Sequence, residues 1–109
     1  MRANIVVALT GLGLFLLSSS SYGAEAAKTL FSSRCQSCHG ADGKGNQTMA
    51  KALQTTIPDL TAKDIAKKSD AEVLEALSKG RGKMPPQTGL SDKELKDLVV
   101  YVKSLSKGK

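Results

Sequence analysis

The sequence predicts an all-α fold for the 109-residue chain. Its apolar residues recur three and four positions apart, the spacing of a helix face, and no segment shows the alternation of a strand. Residues 69–72 and 91–94 both read Ser-x-x-Glu, the capping box with which helices begin. Long, glycine-bearing connections separate the predicted helices, and such loops in a small domain usually surround something. We therefore expect about four to five short helices around a bound group.

The composition leaves this domain with a thin core. A chain of this length forms one domain at most, and aromatic residues make up only 4% of it. Domains this small usually need a disulfide, a metal or a cofactor to fold stably. The two cysteines allow a single disulfide, which excludes a disulfide-rich scaffold.

The first element is a predicted secretory signal peptide over residues 1–23. Arg2 precedes an uncharged stretch over residues 5–17, and small residues follow it. As a helix this stretch would span about 20 Å, short of the ~30 Å hydrocarbon core of a membrane. We expect cleavage after Gly23, or alternatively after Ala26, which leaves residues 24–109 as a domain exported to the periplasm without stable membrane insertion. An uncleaved membrane anchor is the alternative.

Five helices are predicted in the exported domain. The segment after the signal carries Ala27, Leu30 and Phe31 on one face, and the last helix has the longest apolar stripe of the chain. Gly80 suits the residue that follows the fourth helix, because glycine adopts the backbone angles found there. The predicted helices cover residues 25–34, 48–53, 61–68, 69–79 and 91–106.

Cys35, Cys38 and His39 form the sequence Cys-x-x-Cys-His, which indicates covalent attachment of a c-type haem. Two thiols three residues apart on one helical turn reach both vinyl groups of one porphyrin edge, and the next histidine is placed to ligate the iron. Three alternatives compete with this interpretation. A zinc ribbon needs a second Cys or His pair, which the chain lacks, and a thioredoxin-like dithiol needs a βαβ context. A plain disulfide leaves His39 and the glycine-rich loops unexplained.

In this order of motifs the chain resembles the class I cytochromes c over nearly all of residues 24–109. The resemblance implies one covalently bound haem c with its iron inside the cytochrome c fold, with the N- and C-terminal helices crossing. It also implies a role in electron transfer. It rests on Phe31, on Cys35-x-x-Cys38-His39-Gly40-x-Asp42-Gly43-x-Gly45, on Pro58-Asp59-Leu60, on Met84-Pro85, and on Leu90-Ser91-Asp92, Leu98, Tyr101, Val102 and Leu105.

Met84 is the second axial iron ligand that the resemblance implies. Such iron accepts Met, His or Lys or keeps an open position, and His39 is the only histidine of the chain. Met84 lies in a loop that Pro85 and Pro86 stiffen. Met49 follows His39 by only ten residues, and we expect it to fill space in the core.

The neighbours of these ligands are less determined by sequence. His39 is expected to donate its Nδ1–H to a backbone carbonyl. In many relatives a proline closer to the haem motif supplies it, whereas Pro58 follows His39 by 19 residues, so this assignment stays open. Arg81, Lys83 and Gln87 flank the predicted axial methionine, as partners for haem propionates or as solvent-exposed loop residues.

The net charge of the chain indicates what kind of partner it binds. Its formal net charge is +6, and loss of Arg2 with the signal leaves 15 basic against 10 acidic residues, or +5. Export and the absence of aromatic stacking residues argue against nucleic-acid binding. Basic residues near the two ligand loops predict docking with acidic redox partners near an exposed haem edge: Lys44, Lys79, Arg81 and Lys83.

These features predict a soluble, monomeric, periplasmic carrier of single electrons rather than an enzyme. A Met ligand fills the sixth position, which leaves no vacant iron site for peroxide or oxygen. The alternative is an electron-transfer subunit of a larger periplasmic dehydrogenase or oxidase, whose sequence would look the same. A haem enzyme or ligand sensor is a third hypothesis, which a Met84 ligand disfavours.

Overall fold

A computed structural model describes residues 19–107 and, nearer the N terminus, only the isolated positions 3, 11 and 13. The predicted signal peptide therefore lies mostly outside the described residues and stays a prediction. Within residues 19–107 the chain forms six helices. These are α1 (Ser19–Arg34), α2 (Gln36–His39), α3 (Gln47–Ala52), α4 (Lys63–Lys67), α5 (Asp70–Lys79) and α6 (Asp92–Lys107).

The all-α prediction is confirmed, with one isolated backbone bridge between Arg81 and Met84 and no strand over residues 19–107. Ser69 caps α5 by accepting a hydrogen bond from the Glu72 amide at 3.2 Å. At α6 the capping box is reciprocal. The Glu94 amide donates to the Ser91 hydroxyl at 3.1 Å, and the Ser91 amide donates to Glu94 Oε1 at 2.9 Å. Both helices therefore begin where the Ser-x-x-Glu pattern predicts.

The N- and C-terminal helices pack across each other, as predicted. Their contact contains the least exposed side chains of the core. Ala27 on α1 and Leu98 on α6 are 0% exposed, and Phe31 is 1% exposed. The Phe31 and Tyr101 rings lie tilted against each other with centroids 5.3 Å apart, a favourable aromatic geometry. Because α6 also contacts α4 and α5, it is the helix against which α1, α4 and α5 pack.

The middle of the chain differs from the prediction in detail. The helix predicted over residues 61–68 is shorter, because the Asp59 carboxylate accepts hydrogen bonds from the Thr61 amide at 2.8 Å and hydroxyl at 2.6 Å. This turn and the extended backbone of Ala62 and Lys68 confine α4 to Lys63–Lys67. The last four residues of the haem motif form the short helix α2, which the sequence analysis does not predict as a separate helix. Over residues 19–107, none of the helices is long and apolar enough to cross a membrane.

Candidate functional site

The Cys-x-x-Cys-His motif is held directly at the end of α1. The Cys35 amide donates to the Phe31 carbonyl at 2.8 Å, so the first cysteine follows the buried aromatic residue by one helical turn. The His39 amide donates to the Cys35 carbonyl at 2.9 Å, which closes one turn over the motif. Cys35 is buried, Cys38 is half-buried, and neither is in a disulfide. Both thiols therefore lie on one helical turn, and this turn is attached to α1 next to the contact between α1 and α6.

The loop after the motif fixes its other end. The Gly45 amide donates to the His39 carbonyl at 2.6 Å, and the Asn46 amide donates to the Cys38 carbonyl at 2.8 Å. Gly43 has a φ of +81°, and its carbonyl accepts from the Leu60 amide at 2.8 Å. The motif is therefore held by backbone hydrogen bonds on both sides, before any bound group is considered.

These residues line a cavity of about 530 Å³, within the ~300–1,000 Å³ range typical of small-molecule sites. All four predicted site residues line it: Cys35, Cys38, His39 and Met84. Met49 is not among the described residues that line it. Most of the other wall is apolar and comes from α4, α5, α6 and the segments between helices: Leu53, Ile57, Pro58, Leu60, Ile65, Val73, Ala76, Leu77, Pro85 and Val102.

His39 has the environment of a neutral imidazole. Burial lowers its pKa, and the backbone carbonyl of Pro58 opposes this with a smaller upward effect. The His39 Nδ1 atom is buried and makes no hydrogen bond of ordinary geometry, although the Pro58 carbonyl acts on the ring. Neutral imidazole is the form that ligates metals, and a carbonyl beside the second nitrogen would orient it. The structure thus brings Pro58 to His39 despite their separation of 19 residues.

The Cys35 thiol lies in surroundings that favour its uncharged form. Burial raises the pKa of Cys35, Arg34 lowers it in part, and Cys38 adds a small further rise. A thioether carries no charge, so a sulfur linked to a cofactor at this position meets no desolvation penalty for an anion. The buried position of Cys35 suits a covalently linked sulfur better than a free thiolate.

Met84 lies in a short turn after α5. The Arg81 amide donates to the Met84 carbonyl at 2.9 Å, and the Met84 amide donates to the Arg81 carbonyl at 2.9 Å. The Gln87 amide then donates to the Leu77 carbonyl at 2.8 Å, which returns the chain to the last turn of α5. Two hydrogen bonds therefore hold the Met84 backbone directly, and a third anchors the segment that follows it.

The polar part of the cavity wall extends beyond the residues that sequence reasoning predicts. Arg81, Lys83 and Gln87 line the cavity, as a role toward propionates requires. Five further polar residues line it and escape sequence reasoning, because they are far from the two ligand motifs or carry no motif of their own: Arg34, Thr55, Thr56, Lys68 and Glu72. Arg34 also donates to the Thr88 carbonyl at 2.8 Å, which ties the end of α1 to the segment after Met84.

The residues present fit a covalently attached haem. Two free thiols on one turn, a half-buried imidazole whose Nδ1 atom is buried without a hydrogen bond, and a thioether line one largely apolar cavity of a small helical domain. This donor set matches the known ligation of cytochromes c by histidine and methionine. The fold and the site define a class I c-type cytochrome.

Comparison with known proteins identifies the family. The chain matches the family described as "Cytochrome C oxidase, cbb3-type, subunit III" over residues 23–102, and it belongs to that family. It is 39% identical over 110 residues to the cbb3-type cytochrome c oxidase subunit FixP of Bradyrhizobium diazoefficiens, a match that covers 98% of this chain and 34% of the relative. It is 37% identical over 89 residues to the cbb3-type cytochrome c oxidase subunit FixPc of Rhizobium leguminosarum bv. viciae. This match covers 78% of this chain and 29% of the relative.

A solved structure agrees with this assignment. The KustC0563 c-type cytochrome superposes with a TM-score of 0.61 at 28% identity, over 72% of this chain and 95% of that one. The chain spans about a third of the length of the curated relatives it matches. The protein is therefore a cytochrome c electron carrier with covalently bound haem c and iron.

Proposed function

We propose that Cys35 and Cys38 hold the haem through thioether bonds, and that His39 and Met84 are the axial ligands of its iron. The observation that carries this proposal is that all four side chains line one cavity of about 530 Å³. The two thiols lie on one helical turn, so one edge of a porphyrin meets both of them. Met84 comes from a separate segment after α5, which lets the chain supply a second ligand that is not adjacent to the first.

The protein contributes rigidity to the chemistry. The bound haem supplies one-electron exchange between Fe(II) and Fe(III). His39 is the last residue of α2 and is held by the hydrogen bond from its amide to the Cys35 carbonyl, and Met84 is held by the Arg81 hydrogen bonds. Ligands that move little between oxidation states favour fast electron transfer, and methionine ligation raises the potential relative to two histidines. Apolar side chains such as Leu77 exclude water around the ring.

We propose further that this chain acts within a cbb3-type oxidase, as an electron-transfer unit that passes electrons to the catalytic part. Support comes from the family match and from relatives that are named as subunits of that oxidase. These findings favour the oxidase subunit over the freely diffusing carrier that the sequence first predicts. Its partners would be redox proteins, and four exposed basic residues offer a docking surface for acidic ones: Lys44, Lys79, Arg81 and Lys83.

The location of the protein is part of the same proposal. A positively charged start, an uncharged stretch and small residues before Ala24 support export to the periplasm and removal of residues 1–23. The intact mass of the haem protein purified from its host tests this. A chain that begins at residue 24 supports the proposal, and a mass that includes Met1 contradicts it.

Two measurements test the function. First, the reduced wild-type protein is exposed to carbon monoxide at neutral pH. A filled sixth position predicts no binding, whereas ready binding would favour a haem enzyme or ligand sensor. Second, the tagged chain is purified from host membranes in mild detergent. Recovery with the catalytic oxidase subunit supports a place in the complex, and recovery as a monomer in the periplasmic fraction supports the free carrier instead.

A further inference from the structure

Gly80 ends α5 and precedes the segment that carries Met84. Its amide donates to the Ala76 carbonyl at 3.0 Å, as expected for a residue at the end of a helix. Its φ is +75°, in the left-handed region that L residues rarely adopt. This conformation ends the helix and reverses the direction of the chain.

The next seven residues fold back over this position. The paired hydrogen bonds between Arg81 and Met84 close a tight turn, and the bond from the Gln87 amide to the Leu77 carbonyl returns the chain to α5. Residues 84–86 read Met-Pro-Pro, and the two prolines restrict the backbone further. The backbone of the predicted iron ligand therefore lies against the end of α5, with little freedom to move away.

The space over Gly80 is filled by this returning backbone. A Cβ atom at position 80 would lie 2.6 Å from the Met84 carbonyl oxygen, 2.8 Å from the Pro86 nitrogen and 3.0 Å from the Pro85 carbonyl carbon. Cβ atoms essentially never approach other atoms below 3.0 Å. All three neighbours are backbone atoms, so no flexible side chain can turn aside. Any side chain at this position must displace the Met84 segment.

We infer that Gly80 is a positioning residue for Met84, whose missing side chain lets the Met84 backbone seat against α5 and so sets where the thioether meets the iron. This inference rests on the proposed function, because it takes Met84 as the ligand. Gly80 is not among the residues that line the cavity, so its effect passes through the segment of Met84, Pro85 and Pro86. A side chain at position 80 therefore weakens the iron–sulfur bond without touching the cofactor.

Gly89 provides a matched control. Its φ is +77°, almost the same as that of Gly80, yet a Cβ atom added there would meet nothing within 4 Å. Gly89 does not line the cavity either. Alanine at either glycine places a side chain on backbone with positive φ, but only alanine at position 80 collides with the Met84 segment. Gly89→Ala therefore controls for the loss of a glycine with positive φ.

The experiment compares Gly80→Ala, Gly89→Ala and Met84→Ala as holoproteins, with covalent haem verified on a denaturing gel. The readouts are the haem–thioether charge-transfer band of the oxidised form and carbon monoxide binding by the reduced form. We expect Gly80→Ala to lose the band and bind carbon monoxide, as Met84→Ala does, while Gly89→Ala behaves as wild type.

The outcomes separate this inference from the function on which it rests. If Met84→Ala keeps the band, Met84 is not the ligand and the proposed function fails. If Met84→Ala loses the band but Gly80→Ala keeps it, the function stands and the inference is overturned. If Gly80→Ala accumulates no haem protein while Met84→Ala does, Gly80 is needed for folding in general. That result also overturns the inference, which confines the effect to the Met84 segment.

Discussion

The crossing of the terminal helices and the segments around the cavity are stabilised in different ways. At the crossing, Ala27, Phe31 and Leu98 are at most 1% exposed, and aromatic and aliphatic side chains fill the space between α1 and α6. Around the cavity, Met84 and His39 are only half-buried, and apolar side chains face a volume of about 530 Å³. The chain alone packs the first region, whereas the second also presents an apolar wall to which a haem can add contacts.

This difference explains how so short a chain folds. The contact between the terminal helices buries apolar surface without any cofactor. Wall residues such as Leu77 and Val102 belong to the same hydrophobic cluster as the crossing, and a bound haem adds a further apolar partner. We therefore expect the stability of the domain as a whole to depend on the cofactor. Cys35 lies where the two regions meet, because its amide is bound to the Phe31 carbonyl of the crossing while its side chain lines the cavity.

The largest expected effect comes from removing the haem. The double variant Cys35→Ala/Cys38→Ala cannot attach the cofactor, and we expect it to be largely unfolded, with loss of most of the ~5–15 kcal/mol stability of a normal domain. Far-UV circular dichroism and denaturant titration measure this. Ser37→Ala, at an exposed position between the two cysteines, is the control and should stay folded with haem attached. If the double variant unfolds cooperatively at the same denaturant midpoint as the holoprotein, the contact between α1 and α6 is sufficient to stabilise the fold without haem.

The second prediction concerns a substitution in the contact between α1 and α6. Leu98→Ala removes a side chain that is 0% exposed, and it should cost about 2–5 kcal/mol of unfolding free energy because it leaves a cavity. Val100, two residues along α6, is 67% exposed, so Val100→Ala should change stability by less than ~0.5 kcal/mol. Both variants should keep the haem–thioether band. Loss of the band in Leu98→Ala would mean that the two regions are not separable.

The smallest effect concerns the start of α6. Hydrogen bonds from the Ser91 amide, and then from its hydroxyl, lower the pKa of Glu94 in the folded state. A lowered folded pKa contributes stability above the ordinary glutamate pKa and loses it as the pH falls through the lowered value. Wild type should therefore exceed Glu94→Gln slightly at neutral pH, and the difference should close in acid. A stability difference that stays constant or widens in acid would contradict this cause.

The fold could be predicted from the sequence wherever the information is local. The two Ser-x-x-Glu boxes place the starts of α5 and α6, and the apolar spacing around Phe31 identifies the buried face of α1. The haem motif and Met84 could be identified because cofactor attachment requires fixed residue types at fixed spacing. These features depend on neighbours within a few residues, which a sequence displays directly.

The remaining features depend on contacts between distant residues. Pro58 acts on His39 across 19 positions because the loop closed by the Gly43–Leu60 hydrogen bond brings the two together. Gly80 resembles an ordinary helix end in sequence, and only the returning Met84 backbone shows why a side chain is excluded. Arg34 reaches the cavity because α1 ends beside it. Such contacts follow from the tertiary fold and leave no local pattern.

The central claim is that Met84 completes the coordination of a haem attached at Cys35 and Cys38. The most direct test is the charge-transfer band between haem and thioether in the visible spectrum of the oxidised protein, recorded for wild type, Met84→Ala and Met49→Ala. Met49 lies outside the cavity, so its variant controls for the loss of a methionine as such. The account predicts that the band is present in wild type and Met49→Ala and absent in Met84→Ala. A band that survives in Met84→Ala, or disappears in Met49→Ala, would contradict it.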